Sequence, residues 1–229
     1  MNQNNSGIIS DYLLMEFDKL HQRAALQEQA ITNKVNFFLV AVTAVIGGIF
    51  VVGSNLGAIP HFWLLTSIVL ILMFIIGLST FLQVLDLTAN ATFYYRRAGR
   101  IRRWFVDLEP SVVKYMAFAP SDDQPPFLPR RGFLRGVESV LVLLNALLAA
   151  SFSASLSLEY IKLNLTKILI IFGAVFVGIW LLQAFYVRYF LHKMDVVAAM
   201  RKYQVLYPNE KSKHYFSTLL EKYLEDNNN

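Results

Sequence analysis

Three stretches of the chain carry no charged side chain: residues 35–85, 139–158 and 168–187. A helix needs roughly 20 consecutive apolar residues to cross the hydrocarbon core of a bilayer. The last two runs fit one crossing each, and the first is long enough for two. "NLGAIPH", Asn55 to His61, divides it with Gly, Pro and Asn, which are turn formers. The pattern predicts four transmembrane helices, near 36–55, 61–85, 139–158 and 167–188.

Helical character extends beyond these runs. From Asp11 to Lys34 there is neither Gly nor Pro. Leu13, Phe17, Leu20, Ala24, Gln27 and Ile31 recur there in steps of four and three, a heptad-like seam. Nothing breaks the chain before the first crossing, so one helix is expected to run from water into membrane. Its polar part would be ~35 Å long at ~1.5 Å per residue. The seam of Leu13, Phe17, Leu20, Ala24 and Ile31 fits self-association around a symmetry axis; it fits equally well packing on the chain's own helices. The second crossing is expected to continue past Asp86 to about Leu108, stopped by Pro110. "APSDDQPPFLP", within Pro110 to Pro129, reads as a folded-back loop. Tyr189 to Tyr207 continues the fourth crossing as far as Pro208. Tyr215, Leu219, Leu220 and Tyr223 then mark a short amphipathic helix. The resulting organisation is an N-terminal helix (1–35), a transmembrane hairpin (36–85), a basic helix and Pro-rich loop (86–138), a second hairpin (139–188) and C-terminal helices (189–229).

Composition agrees with this class. Of 229 residues 55% are hydrophobic and 16% charged, against about 25% charged in a soluble domain. All Lys and Arg except Lys162 and Lys167 fall on one side of the expected membrane, together with both termini. By the bias of basic residues toward the cytoplasm, both termini are expected to be cytoplasmic, in a bacterial inner membrane. The formal charge of +5 is then largely a record of topology. The polar opening residues do not resemble a cleavable signal. The absence of cysteine excludes disulfides and thiolate metal sites.

Little in the chain suggests catalysis. His21, His61, His192 and His214 lie at no spacing that would bring two onto one helical face as metal ligands. No phosphate-binding glycine loop, nucleophile elbow or zinc-protease motif is present. Asp122 and Asp123 fit a solvated loop. No enzyme activity, catalytic residue, metal or cofactor is expected. The crossings hold no ionisable side chain, which argues against ion-coupled carriers and leaves a neutral pore open. On the first crossing Asn36, Thr43, Gly47 and Ser54 form a thin polar, small-residue stripe, with Val40 and Phe50 between them. The stripe suits either close packing of helices or the wall of a pore with Phe50 as its plug. On the third crossing Ser151, Ser153, Ser155 and Ser157 point in all directions, as expected of a helix packed on several sides.

"YYRRAGRIRRWF", Tyr94 to Phe105, packs five arginines among aromatics. On a helix Arg96, Arg100 and Arg103 share one face and Tyr94, Ile101 and Phe105 the opposite one. Arg97, Phe93 and Trp104 share a flank, Arg102 stands apart, and Asp107 is placed to pair with Arg103. The arginines set topology and suit lipid headgroups. Arg96, Arg97, Arg100 and Arg103, with Trp104 as a stacking surface, also suit an anionic ligand such as a nucleotide or oligonucleotide.

The run "SDYLLMEFDKLHQRAALQEQAITNKVNFFLVAVTAVIGG" leads into a membrane hairpin and then into "YYRRAGRIRRWF". This arrangement resembles the small multi-helix membrane effectors of prokaryotic anti-phage defence: SLATT-type proteins and the membrane partners of CBASS-like and Hailong-type operons. The resemblance covers architecture over most of the chain and carries no catalytic or binding residue over. It implies a homo-oligomeric channel or membrane-disrupting effector that depolarises the cell, controlled by a nucleotide or oligonucleotide signal from a partner nucleotidyltransferase. The long Pro-rich loop departs from that pattern. The expectation is thus an all-α, four-helix transmembrane protein with helical cytoplasmic extensions, assembled as a channel. The alternative is an accessory membrane subunit, without a pore, that docks a cytoplasmic partner through Leu13 to Ile31.

Overall fold

The computed structural model describes residues 3–53, 61–117, 120, 124–127, 136–161 and 164–199. Four long helices follow one another: α1 Gln3–Gly53, α2 Phe62–Leu108, α3 Val137–Tyr160 and α4 Leu165–Ala199. All four are long and apolar enough to cross a membrane, and the described residues contain no strand. The chain is an all-α, multi-pass membrane protein. α1 is a single helix of 51 residues; from Asp11 onward no Gly or Pro interrupts it before Gly47. α2 ends at Leu108, and a short 3-10 helix, Pro110–Tyr115, follows. Pro110 has no amide hydrogen to continue the ladder. Residues 200–229, with the expected amphipathic helix around Tyr215 to Tyr223, lie outside the described residues.

The chain divides into two compact units. Ala30–Asp86 and Arg131–Arg188 form an apolar unit, and Met1–Gln29, Leu87–Arg130 and Tyr189–Asn229 form a polar one. In the apolar unit α1 buries Ile31, Val35, Phe38 and Val42, a stripe in steps of four, three and four that marks one face of a helix. α3 is the central helix: 44% of its most apolar window is buried, against 17% for α1 and for α4. Its Ser155 and Ser157 are buried and Ser151 and Ser153 half-buried, as its all-round pattern of serines predicts. α2 approaches closely at Gly77, where a methyl group would collide with Oδ1 of Asn145 and the ring of Phe38. At one end of the unit Lys34 Nζ donates to Gln83 Oε1 (2.6 Å). Elsewhere in it His61, at a positive φ of 58°, pairs through Nδ1 with Glu159 (2.8 Å).

In the polar unit the α1 seam is already covered. Leu20 packs with Ala98 and Ile101 of α2, and Leu13, Phe17, Tyr94 and Phe105 close around them; Ala24 is fully buried. Ile31, the last seam position, is buried in the apolar unit. This corrects the expectation of an oligomer seam at Leu13, Phe17, Leu20, Ala24 and Ile31. The heptad spacing is real, but the face of α2 carrying Tyr94, Ile101 and Phe105 satisfies it within one chain.

Candidate functional site

The arginine-rich turn of α2 divides into groups with different neighbours. Arg96 is 4% exposed. Its Nη2 pairs with Asp195 Oδ1 of α4 at 2.6 Å, its Nε donates to the Pro125 carbonyl (2.9 Å), and its guanidinium lies 4.1 Å from the Phe127 ring centre. Asp195 also accepts from the Phe127 amide (3.3 Å), and Phe93 meets the Phe127 ring edge-on. The helix wheel correctly aligns Arg96 with Arg100 and Arg103, yet at Arg96 that face meets α4 and the Pro-rich loop. Arg96 is therefore withdrawn from the anion-binding row.

Of the other residues of that row, Arg97 is exposed and Arg100 half-buried. Arg103 Nε bonds Asp107 Oδ1 at 2.7 Å, the pairing its four-residue spacing predicts. Trp104 is half-buried and stands edge-on to Phe105. Arg97 is thus the exposed arginine of this row, with Arg100 and Arg103 half-buried.

Arg102, set apart on the wheel, packs against α1. Its Nη2 lies 3.2 Å from His21 Nε2, and its guanidinium lies 5.2 Å from the Phe17 ring centre. His21 Nδ1 lies 2.9 Å from the Phe17 carbonyl. A carbonyl only accepts, so this geometry assigns the proton to Nδ1 and leaves Nε2 to accept from Arg102. Burial pushes the Arg102 pKa below its ordinary value. Beside them the Tyr95 hydroxyl donates to Glu28 Oε1 (2.9 Å); burial first, then the Glu28 carboxylate, raises the Tyr95 pKa. A cleft of about 320 Å³ opens here, walled by Leu14, Phe17, Phe105 and Met116, with Arg102 and His21 on its polar side. Sequence reasoning missed this cleft, and also Asp195. The available signal for Asp195 was a lone acid between Met194, Val196 and Val197.

The stripe on α1 faces outward from the chain. Asn36, Thr43 and Gly47 are exposed, Phe50 is 80% exposed and Val40 69%; Ser54 lies outside the described residues. A methyl group at Gly47 would meet nothing within 4 Å. Thr43 Oγ1 donates to the Leu39 carbonyl of its own helix (2.8 Å), and the Asn36 side chain makes no hydrogen bond among the described residues. Close packing within one chain thus leaves the stripe unexplained. The exposed face of α4 presents Leu169, Leu182 and Phe185, which suit lipid.

Compared with known proteins, the chain matches no family model, no curated protein and no solved structure.

Proposed function

We propose that the chain is a membrane effector that assembles in copies around an axis and forms a gated, ion-conducting pore lined by α1. The observation that carries this reading is the outward stripe of Asn36, Thr43 and Gly47 on α1, in contrast with Leu169, Leu182 and Phe185 exposed on α4. An unpaired amide facing lipid is costly; facing a water-filled axis, it is satisfied. Phe50, the large residue on the same face, narrows the passage. The excess of Lys and Arg in the polar unit supports a cytoplasmic position for that unit, in a bacterial cell. Arg97, Arg100 and Arg103, with Trp104, face a nucleotide or oligonucleotide anion there, made by a partner nucleotidyltransferase. Such a ligand gates the pore only through unequal affinity for its closed and open states. Depolarisation by an opened pore fits anti-phage defence.

The test pairs mass with flux. Purified protein in detergent should run as a multimer, and liposomes containing it should leak ions. Thr43→Leu with Gly47→Leu should abolish the leak without changing the mass. A monomer without flux selects the second reading, an accessory subunit that docks a protein partner. That reading is favoured by Ile8, Tyr12 and Met15, which lie 70%, 62% and 57% exposed along α1.

A further inference from the structure

We propose that the polar part of α1 docks on the same helix of a second copy of this chain, side by side and parallel. The contact is a heptad seam with Tyr12, Lys19 and Leu26 at one position and Met15, Gln22 and Gln29 at the other. All six are exposed. They lie roughly 150° around the helix from Leu13, Leu20 and Ala24, the face that α2 covers, at ~100° per residue. The inference rests on the reading of assembly in copies and names the contact that makes it.

Spacing, shape and polarity each select a second copy as the occupant. A surface that repeats every seven residues fits a helix of the same repeat, and α1 has that repeat. Its steps of four and three continue along the same helix through Asn33 and Asn36 to Val40, Thr43, Gly47 and Phe50, all exposed. Seam and outward stripe thus share one register. Copies inserted into one membrane point the same way, which makes the pairing parallel. On the seam a hollow of about 180 Å³ is lined by Tyr12, Met15, Glu16 and Lys19, with Leu20 and Arg23. Offsets of three, four and seven from Tyr12 define the four-residue hole that receives a knob from a facing helix. In a parallel, in-register pair that knob is Met15 of the second copy, whose flexible thioether suits an irregular hollow. The seam amides are self-complementary, because each both donates and accepts. Gln22 gives one N–H to Asp18 of its own helix (2.8 Å) and keeps the other, with its carbonyl oxygen, for its counterpart across the axis. Asp18 and Arg23 flank the seam at the spacing where parallel helices exchange charge pairs. Asp11 and Glu16, one heptad earlier, are alike in sign, so the contact is strongest from Met15 to Gln29.

The experiment is oxidative cross-linking of full-length single-cysteine variants in native membranes, read as linked dimer on a non-reducing gel, beside the mass of the parent in mild detergent. Met15→Cys and Gln22→Cys should link roughly tenfold faster than Leu14→Cys, because a disulfide needs Cα atoms within about 7 Å. Leu14 is equally exposed on α1 and lies off the seam, so its rate measures chance collision. Asp18→Arg should slow linkage of Met15→Cys severalfold, and adding Arg23→Asp should restore it. A multimeric parent in which the two seam cysteines link no faster than Leu14→Cys overturns the seam and leaves assembly standing. Slowing by Asp18→Arg without recovery in the swapped pair overturns the parallel, in-register contact. A monomeric parent, with this face left to a different protein, overturns seam and assembly together.

Discussion

Replacing Arg96 or Asp195 singly should cost far more than replacing both. The two side chains are 5% and 3% exposed and meet at 2.6 Å. At an effective dielectric constant of about 20, unit charges at that separation attract by roughly 6 kcal/mol, offset by several kcal/mol of desolvation for each ion. The pair therefore contributes little net stability, whereas a lone survivor is a buried, uncompensated charge. Arg96→Met or Asp195→Leu alone should destabilise the fold by about 3–5 kcal/mol. The double variant removes both charges and leaves the Pro125 carbonyl and the Phe127 amide short of a partner. At ~1 kcal/mol for each lost hydrogen bond, it should cost about 2 kcal/mol. Thermal unfolding followed by circular dichroism in a mild detergent reads the difference. Each single variant should melt roughly 10 °C below the parent, and the double should recover about half of that loss. Additive losses, with the double falling by the sum of the singles, would refute the buried-pair reasoning.

Gly77→Ala should destabilise the apolar unit by about 1–3 kcal/mol, because its methyl group collides with Asn145 and Phe38. Gly47→Ala should leave unfolding of the chain unchanged, since nothing stands within 4 Å; equal melting losses for the two variants would contradict this. Neither amide atom of Asn145 has a hydrogen-bond partner among the described residues, and the residue is fully buried. Asn145→Val should therefore raise stability by about 1 kcal/mol, by removing an unsatisfied buried amide. A loss of that size would show that the amide has a partner. The Tyr95 pKa is raised, so its contribution is fully present below the ordinary tyrosine value of about 10 and is lost as pH rises through the folded value. The parent should lose stability faster than Tyr95→Phe on titration above pH ~10, and parallel curves would exclude the effect.

The helices were legible in the sequence because their causes are local. Charge-free runs fix the crossings, Pro110 ends α2 at Leu108, and the unbroken stretch from Asp11 keeps α1 in one piece. The alternation at Leu13, Phe17, Leu20 and Ala24 was equally readable, but periodicity shows that a face is apolar and leaves open what covers it. Here the cover is Ala98 and Ile101, more than seventy residues on. Arg96 shows the same limit: its partner Asp195 lies 99 residues downstream, and the wheel carries no information about α4. Arg102 stands apart from the other arginines on the wheel, and that isolation points it toward His21 and Phe17 on α1. The outward stripe on α1 was readable as a pattern, and Asn36, Thr43, Gly47 and Phe50 are exposed together.

The chain has no native cysteine, which makes thiol accessibility the most direct test of a passage lined by α1. Single cysteines would replace Asn36, Thr43 and Gly47 on the stripe, Val42 on the buried face of α1 and Leu182 on the outer face of α4. Each variant would be treated in intact membranes with a charged, membrane-impermeant thiosulfonate. Rapid labelling at all three stripe positions, with Val42→Cys and Leu182→Cys protected, is the result expected of a water-filled axis. Protection of the stripe to the same degree as Leu182→Cys would place it against lipid and contradict the pore.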